Sequence, residues 1–169
     1  MRTLGIDPGT IVMGYGIIDS QSGAISLVTY NAITCSKHSP ISERLSFLFE
    51  GLSEVILEYK PDIVAVEQPF VSKNVRTALA IGKAQAVAML AASRQGIPVF
   101  EYTPAQVKRM VANYGASSKE QIQEMVKLQL GLSQVPEPND AADALAVALC
   151  HLREVHLENL LADRDKGEK

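Results

Sequence analysis

The chain has no tryptophan, and aromatic residues make up only 5% of it, so apolar burial must come from aliphatic side chains and alanine. Cysteine is as scarce. Cys35 and Cys150 are the only two, and neither sits in a CxxC or metal-finger spacing, which excludes a disulfide framework and a zinc-ribbon module. They read as reduced, partly buried thiols. No apolar stretch approaches the roughly 18 residues that span a bilayer. "MRTLGIDPG" does not read as a secretion signal, because Asp7 and Pro8 break its apolar run at once. A soluble, cytoplasmic protein is expected. Internal repeats, linkers and low-complexity blocks are missing too. The expected organisation is therefore one domain over 1–157, with 158–169 a charged, poorly ordered tail.

Excess positive charge is also lacking: the net charge is −3. Its distribution is uneven, however. Residues 1–67 carry four Lys/Arg against eight Asp/Glu, residues 68–136 eight against three, and residues 137–169 four against eight. A basic middle between acidic ends can present a positive surface to a polyanion, although solvated helix faces give the same count.

What is present is a readable order of elements. "RTLGIDP", "GYGIIDS" and "AISLVTYNAIT" read as strands, the last two joined by a hairpin turn in "SQSG". "SPISERLSFLFEGLSEVILEYK" has helical periodicity, with Leu45, Leu48, Leu52, Val55 and Ile56 on one stripe and Ser39 or Ser42 as cap. "DIVAVE" is a continuous apolar run, as in a buried central strand. A helix through "NVRTALAIGKAQAVAMLAASRQG", the short strand "IPVFEY" and three more helices complete the chain. Thr103 with Pro104 opens the first of those helices, a Ser117–Glu120 capping box the second, and Asn139 the last. The order βββ-α-β-α-β-α-α-α predicts an α/β fold, a mixed five-stranded sheet flanked by helices.

Four acids sit at the mouths of these elements. Asp7 ends the first strand, Glu67 ends "DIVAVE", and Asp140 and Asp143 open "PNDAADALAVALCH", a helix that is apolar nearly all round. Spacing of three puts the last two on one helical face. Taken singly, each has an ordinary explanation in turn chemistry, an exposed strand end or the helix dipole. Asp143 fits such explanations worst, because its neighbours on every side are apolar and a buried carboxylate needs a partner. If the four converge, their repulsion raises their pKa values unless a cation intervenes. An all-oxygen donor set suits Mg²⁺ or Mn²⁺, and two such ions can activate water against a phosphodiester. Lys119 opens a helix, where the dipole disfavours a cation, unless the lysine and that helix terminus share an anion. His151, two turns beyond Asp143, reads as a core or rim histidine rather than a ligand.

"LGIDPGT…GYGII", "VAVEQPFVSKN", "VFEYTPAQVK" and "NDAADALAVALCH" together resemble the RuvC family of Holliday-junction resolvases, in order and over nearly the whole chain. The resemblance implies a ribonuclease-H-like fold and a homodimer with two active sites. It implies a Mg²⁺-dependent endodeoxyribonuclease that nicks two like-polarity strands of a four-way DNA junction, leaving 5′-phosphate and 3′-hydroxyl ends, and that works with a branch-migration motor complex. Asp7, Glu67, Asp140 and Asp143 match the family's acidic metal-binding quartet. Lys108 and Lys119 match lysines associated with phosphate contacts and catalysis. Phe70 matches an aromatic that stacks on bases near the junction centre, and Lys73 follows in the same DNA-facing segment. The chain departs from the family pattern in "TALAIGKAQA", where Lys83 carries the displaced basic residue and Gln85 stands where Arg is usual. That bears on dimer or strand contacts, not on the acids.

Two other readings exist. "GIDPGT" also resembles the first hairpin of actin-like ATPases and sugar kinases, but these need a second lobe and a second phosphate loop. A junction-binding module without catalysis would not need acids at all four positions.

Overall fold

The structure is a computed structural model describing residues 1–69, 75–112 and 117–167, with side chains up to residue 162. Ten elements follow in the predicted order: β1 (Arg2–Asp7), β2 (Val12–Gln21), β3 (Ala24–Thr34), α1 (Ile41–Tyr59), β4 (Ile63–Glu67), α2 (Val75–Arg94), β5 (Val99–Tyr102), α3 (Pro104–Ala112), α4 (Lys119–Gln129) and α5 (Asn139–Gly167). The sheet order is β3-β2-β1-β4-β5. The first three strands form an antiparallel meander, while β4 and β5 join parallel to β1 through the crossover helices α1 and α2. The β2–β3 turn is a two-residue loop with Ser22 and Gly23 both at positive φ, which matches the twist of the strands it joins.

Strand alternation divides the core in two. Leu4, Ile6, Ile17, Val64 and Val66 face α1 and α2, where Leu48, Leu52, Ala88 and Ala92 pack on them. Ile18, Ala65 and Tyr102 face the other way, against Val107, Val111, Ile122, Val126, Leu145 and Leu149 of α3, α4 and α5. Asp7 and Glu67 follow the alternation of Gly5 and Ala65, which puts them on the α5 side.

Several local expectations shift. Pro40, not Ser39 or Ser42, precedes α1, and no side chain caps that helix. The capping box of α4 is Ser118 with Gln121, one residue beyond the expected Ser117–Glu120 pair. Asn139 is the first residue of α5, and the Pro138 carbonyl accepts from the Ala141 and Ala142 amides instead. Thr103 does cap α3, exchanging hydrogen bonds with Gln106. By length and composition α2 could cross a membrane, contrary to the expectation that no segment could. Here its alanines pack on the sheet as a layer of the domain. The segment from 158 onward is helical to Gly167; Leu160 and Leu161 on this extension are exposed, as is Leu157 just before it.

Candidate active site

Two strand ends and one helix start bring the acids together. Asp7 and Glu67 end neighbouring strands β1 and β4, and Gly14 of β2 is the register partner of Asp7. Helix α5 comes down on this corner because the strands offer no side chains there. A Cβ on Gly14 would lie 1.9 Å from the Asp140 carbonyl oxygen, one on Gly5 2.1 Å from that of Ala144, and one on Gly16 2.5 Å from the Leu145 side chain. Alanine or no side chain on both surfaces lets the helix backbone touch the sheet. The sequence shows α5 as apolar nearly all round but does not single out the glycines opposite it. Their signal was three glycines spaced to fall on one sheet face.

The resulting electrostatics are those of crowded carboxylates. Burial, then Glu67, Asp143 and Asp140, push Asp7 up to about 8, against the pull of Lys119. Burial and Asp143 push Glu67 up to about 7, opposed by Lys119 and Lys108. Lys119, the first residue of α4, sets its Nζ 2.5 Å from Asp143 Oδ2. Burial works against its charge, but the bond to Asp143, with Asp7 and Asp140 behind it, holds its pKa above the ordinary value. The anion that relieves a cation at this helix start is therefore Asp143. The Lys119 side chain remains about half exposed.

Glu67, Asp143, Lys108 and Lys119 line one cleft of about 210 Å³, with Val107, Ile122 and Ala146 among its apolar walls. Asp140 faces a second groove, beside Thr10 and Arg76. The acids thus lie between two open depressions, each carrying a basic residue. Phe70 and Lys73 fall outside the described residues.

An oxygen-only donor set of mutually repelling carboxylates fits a hard divalent cation, which would remove the repulsion that raises Asp7 and Glu67. Among the described residues no three His, Cys, Asp or Glu side chains already close on one point as a finished cage. With Lys119 bonded to Asp143, a cation there has to share or displace that contact.

The chain is similar to known proteins over nearly its whole length. A family model described as "Crossover junction endodeoxyribonuclease RuvC" matches residues 3–151. A protein of that name from Dehalococcoides mccartyi is 54% identical over 165 residues, covering 98% of this chain and 99% of its own. The structure of T. thermophilus RuvC in complex with Holliday junction substrate superimposes with a TM-score of 0.87 at 33% identity, covering 94% of this chain and 96% of that one. The yeast mitochondrial resolvase Ydc2 shares the fold, with a TM-score of 0.63 at 12% identity over 89% of this chain and 78% of its own.

Proposed function

The chain belongs to the RuvC family of crossover junction endodeoxyribonucleases, and on that footing we propose that it resolves four-way DNA junctions in recombination and repair by paired symmetric nicks. The observation that carries this reading is the crowding of Asp7, Glu67, Asp140 and Asp143 at one corner of the sheet, with Lys119 bonded to one of them.

A divalent cation goes with the family. We place Mg²⁺ here, two ions per site with Mn²⁺ able to substitute, held by Asp7, Glu67, Asp140 and Asp143. When bound, the ions supply the positive charge that activates water and steadies the leaving oxygen. The chain's own residues do the remaining work. Lys119 holds its ammonium where negative charge grows on the phosphate during displacement, an interaction that strengthens towards the transition state. Lys108, on the wall of the same cleft, binds a neighbouring phosphate and fixes the strand. Phe70 and Lys73 would engage the junction next to it. The products are a 5′-phosphate and a 3′-hydroxyl.

Paired nicks need two sites at a fixed separation, so the acting form is a homodimer with one site per protomer, working in the cytoplasm alongside a branch-migration motor complex. The test is incubation with a synthetic four-way junction and with linear duplex of the same sequence, in Mg²⁺ and in EDTA. Paired nicks confined to the junction and to Mg²⁺ are expected. Nicking that survives EDTA, or equal cutting of duplex, contradicts the reading.

A further inference from the structure

Helix α5 carries two of the four acids, yet its hydrogen-bonded side-chain contacts with the sheet, among the described residues, converge on one atom. That atom is the Tyr102 hydroxyl, 2.7 Å from His151 Nδ1, with the Glu154 carboxylate bearing on it as well. Both partners are buried, Tyr102 at 3% exposure and His151 at 2%. The Phe100 ring meets His151 at a tilt of 46° with a centroid distance of 4.7 Å, and the Tyr102 ring meets it edge-on at 5.9 Å. Two polar groups buried this deeply are costly unless they find each other, so the contact selects one relative placement of helix and strand.

The placement matters because of what each partner adjoins. Tyr102 is the register partner of Glu67 across the β4–β5 pair, and its carbonyl accepts from the Gln68 amide. His151 lies eight residues beyond Asp143 on the same helix, about 12 Å along the axis. The bond thus joins the neighbour of one acid to the helix bearing two others. At the opposite end, α5 rests on Gly14, Gly16 and Gly5. Two fixed points define the line of a helix over a sheet. Glycines and alanines resist approach but oppose sliding poorly, whereas a hydrogen bond fixes position along the axis. A slip of one residue moves Asp140 and Asp143 by about 1.5 Å, enough to spoil a reactive geometry.

We propose that Tyr102 and His151 are a positioning pair that holds α5 in the register at which Asp140 and Asp143 face Asp7 and Glu67. The proposal rests on reading those four acids as a cation site. Neither residue lines the cleft beside Glu67 and Asp143, so the pair acts through the helix.

The test uses the full chain and its Tyr102→Phe, His151→Leu and His151→Asn variants. Tyr102→Phe removes one oxygen, His151→Leu removes the bonding atom, and His151→Asn keeps one near the Nδ1 position. The readouts are calorimetric Mn²⁺ binding without DNA, the Mg²⁺ concentration for half-maximal nicking, and junction affinity in EDTA. Tyr102→Phe and His151→Leu are expected to weaken Mn²⁺ binding and raise the Mg²⁺ requirement about tenfold, with junction affinity changed by less than about twofold. His151→Asn should restore most of the loss. The double variant should be no worse than the worse single one, since both remove the same bond. Unchanged Mn²⁺ affinity with only a lowered melting temperature overturns the proposal, as does a His151→Asn variant as defective as His151→Leu. If His151→Leu does not fold, the other two variants decide. A wild type that takes up no Mn²⁺ overturns the reading of the acids and the pair's role with it. A wild type that binds Mn²⁺ no better than its variants overturns the pair alone.

Discussion

The Asp140 carbonyl oxygen occupies the space where a side chain on Gly14 would begin, 1.9 Å from the position of a Cβ. Because Gly14 also pairs with Asp7, this contact sets the first turn of α5 beside the end of β1. Gly14→Ala therefore has to push the start of α5 away from the sheet. The expected cost is about 1–3 kcal/mol of stability, together with loss of nicking. Gly82→Ala is the matching control. Nothing lies within 4 Å of its added Cβ, and alanine in a helix interior should stabilise by up to about 1 kcal/mol. Urea denaturation and junction nicking on the same preparations check both.

Much of the fold was legible from local signals. Strand alternation, the "SQSG" turn and the prolines marked all ten elements in order, because each signal acts within a few residues. The acids were legible as a set because each stood at an element's mouth, and Asp143 stood out among alanines. What local signals could not decide was mostly a choice between adjacent candidates or a match between distant surfaces. Ser117 and Ser118 both offer a hydroxyl, and only backbone conformation at Ser118 selects the cap of α4. The Gly5–Gly14–Gly16 seam acquires meaning only once α5 lies across it. Lys119 looked disfavoured at a helix start until the fold brought Asp143 to it from 24 residues away.

Lys119 separates stability from catalysis. Its side chain is 54% exposed, so its ion pair with Asp143 should contribute no more than about 1 kcal/mol to folding. Lys119→Met is expected to melt within about 4 °C of wild type, while the rate of nicking falls roughly 100-fold or more. Single-turnover kinetics on a bound junction separate this from weaker binding. A Lys108→Ala variant should instead raise the junction Kd and reduce its steep salt dependence.

The raised acids make a signed prediction about pH. Asp7 is held up to about 8 and Glu67 to about 7, burial being the largest cause for both. In the unfolded chain such groups titrate near pH 4, so between about pH 4 and 8 the cation-free folded protein binds more protons than the unfolded one. Their contribution to stability is fully present below about pH 4 and is lost as pH rises through the folded values. Asp7→Asn removes the larger share. Without divalent cations this variant should melt several degrees above wild type at about pH 8, with the gap closing towards about pH 4. Saturating Mg²⁺ should reverse the order, because only wild type gains from binding. The same variant should keep junction affinity and lose nicking. Calorimetric melting across pH, with and without Mg²⁺, checks the signs.

The most direct test of a shared cation site is anomalous diffraction from crystals soaked in Mn²⁺. Mn²⁺ density is expected at the corner bounded by Asp7, Glu67, Asp140 and Asp143, with the Lys119 ammonium moved away from Asp143. Crystals that take up Mn²⁺ elsewhere but show none at this corner, with Lys119 still bonded to Asp143, would contradict it.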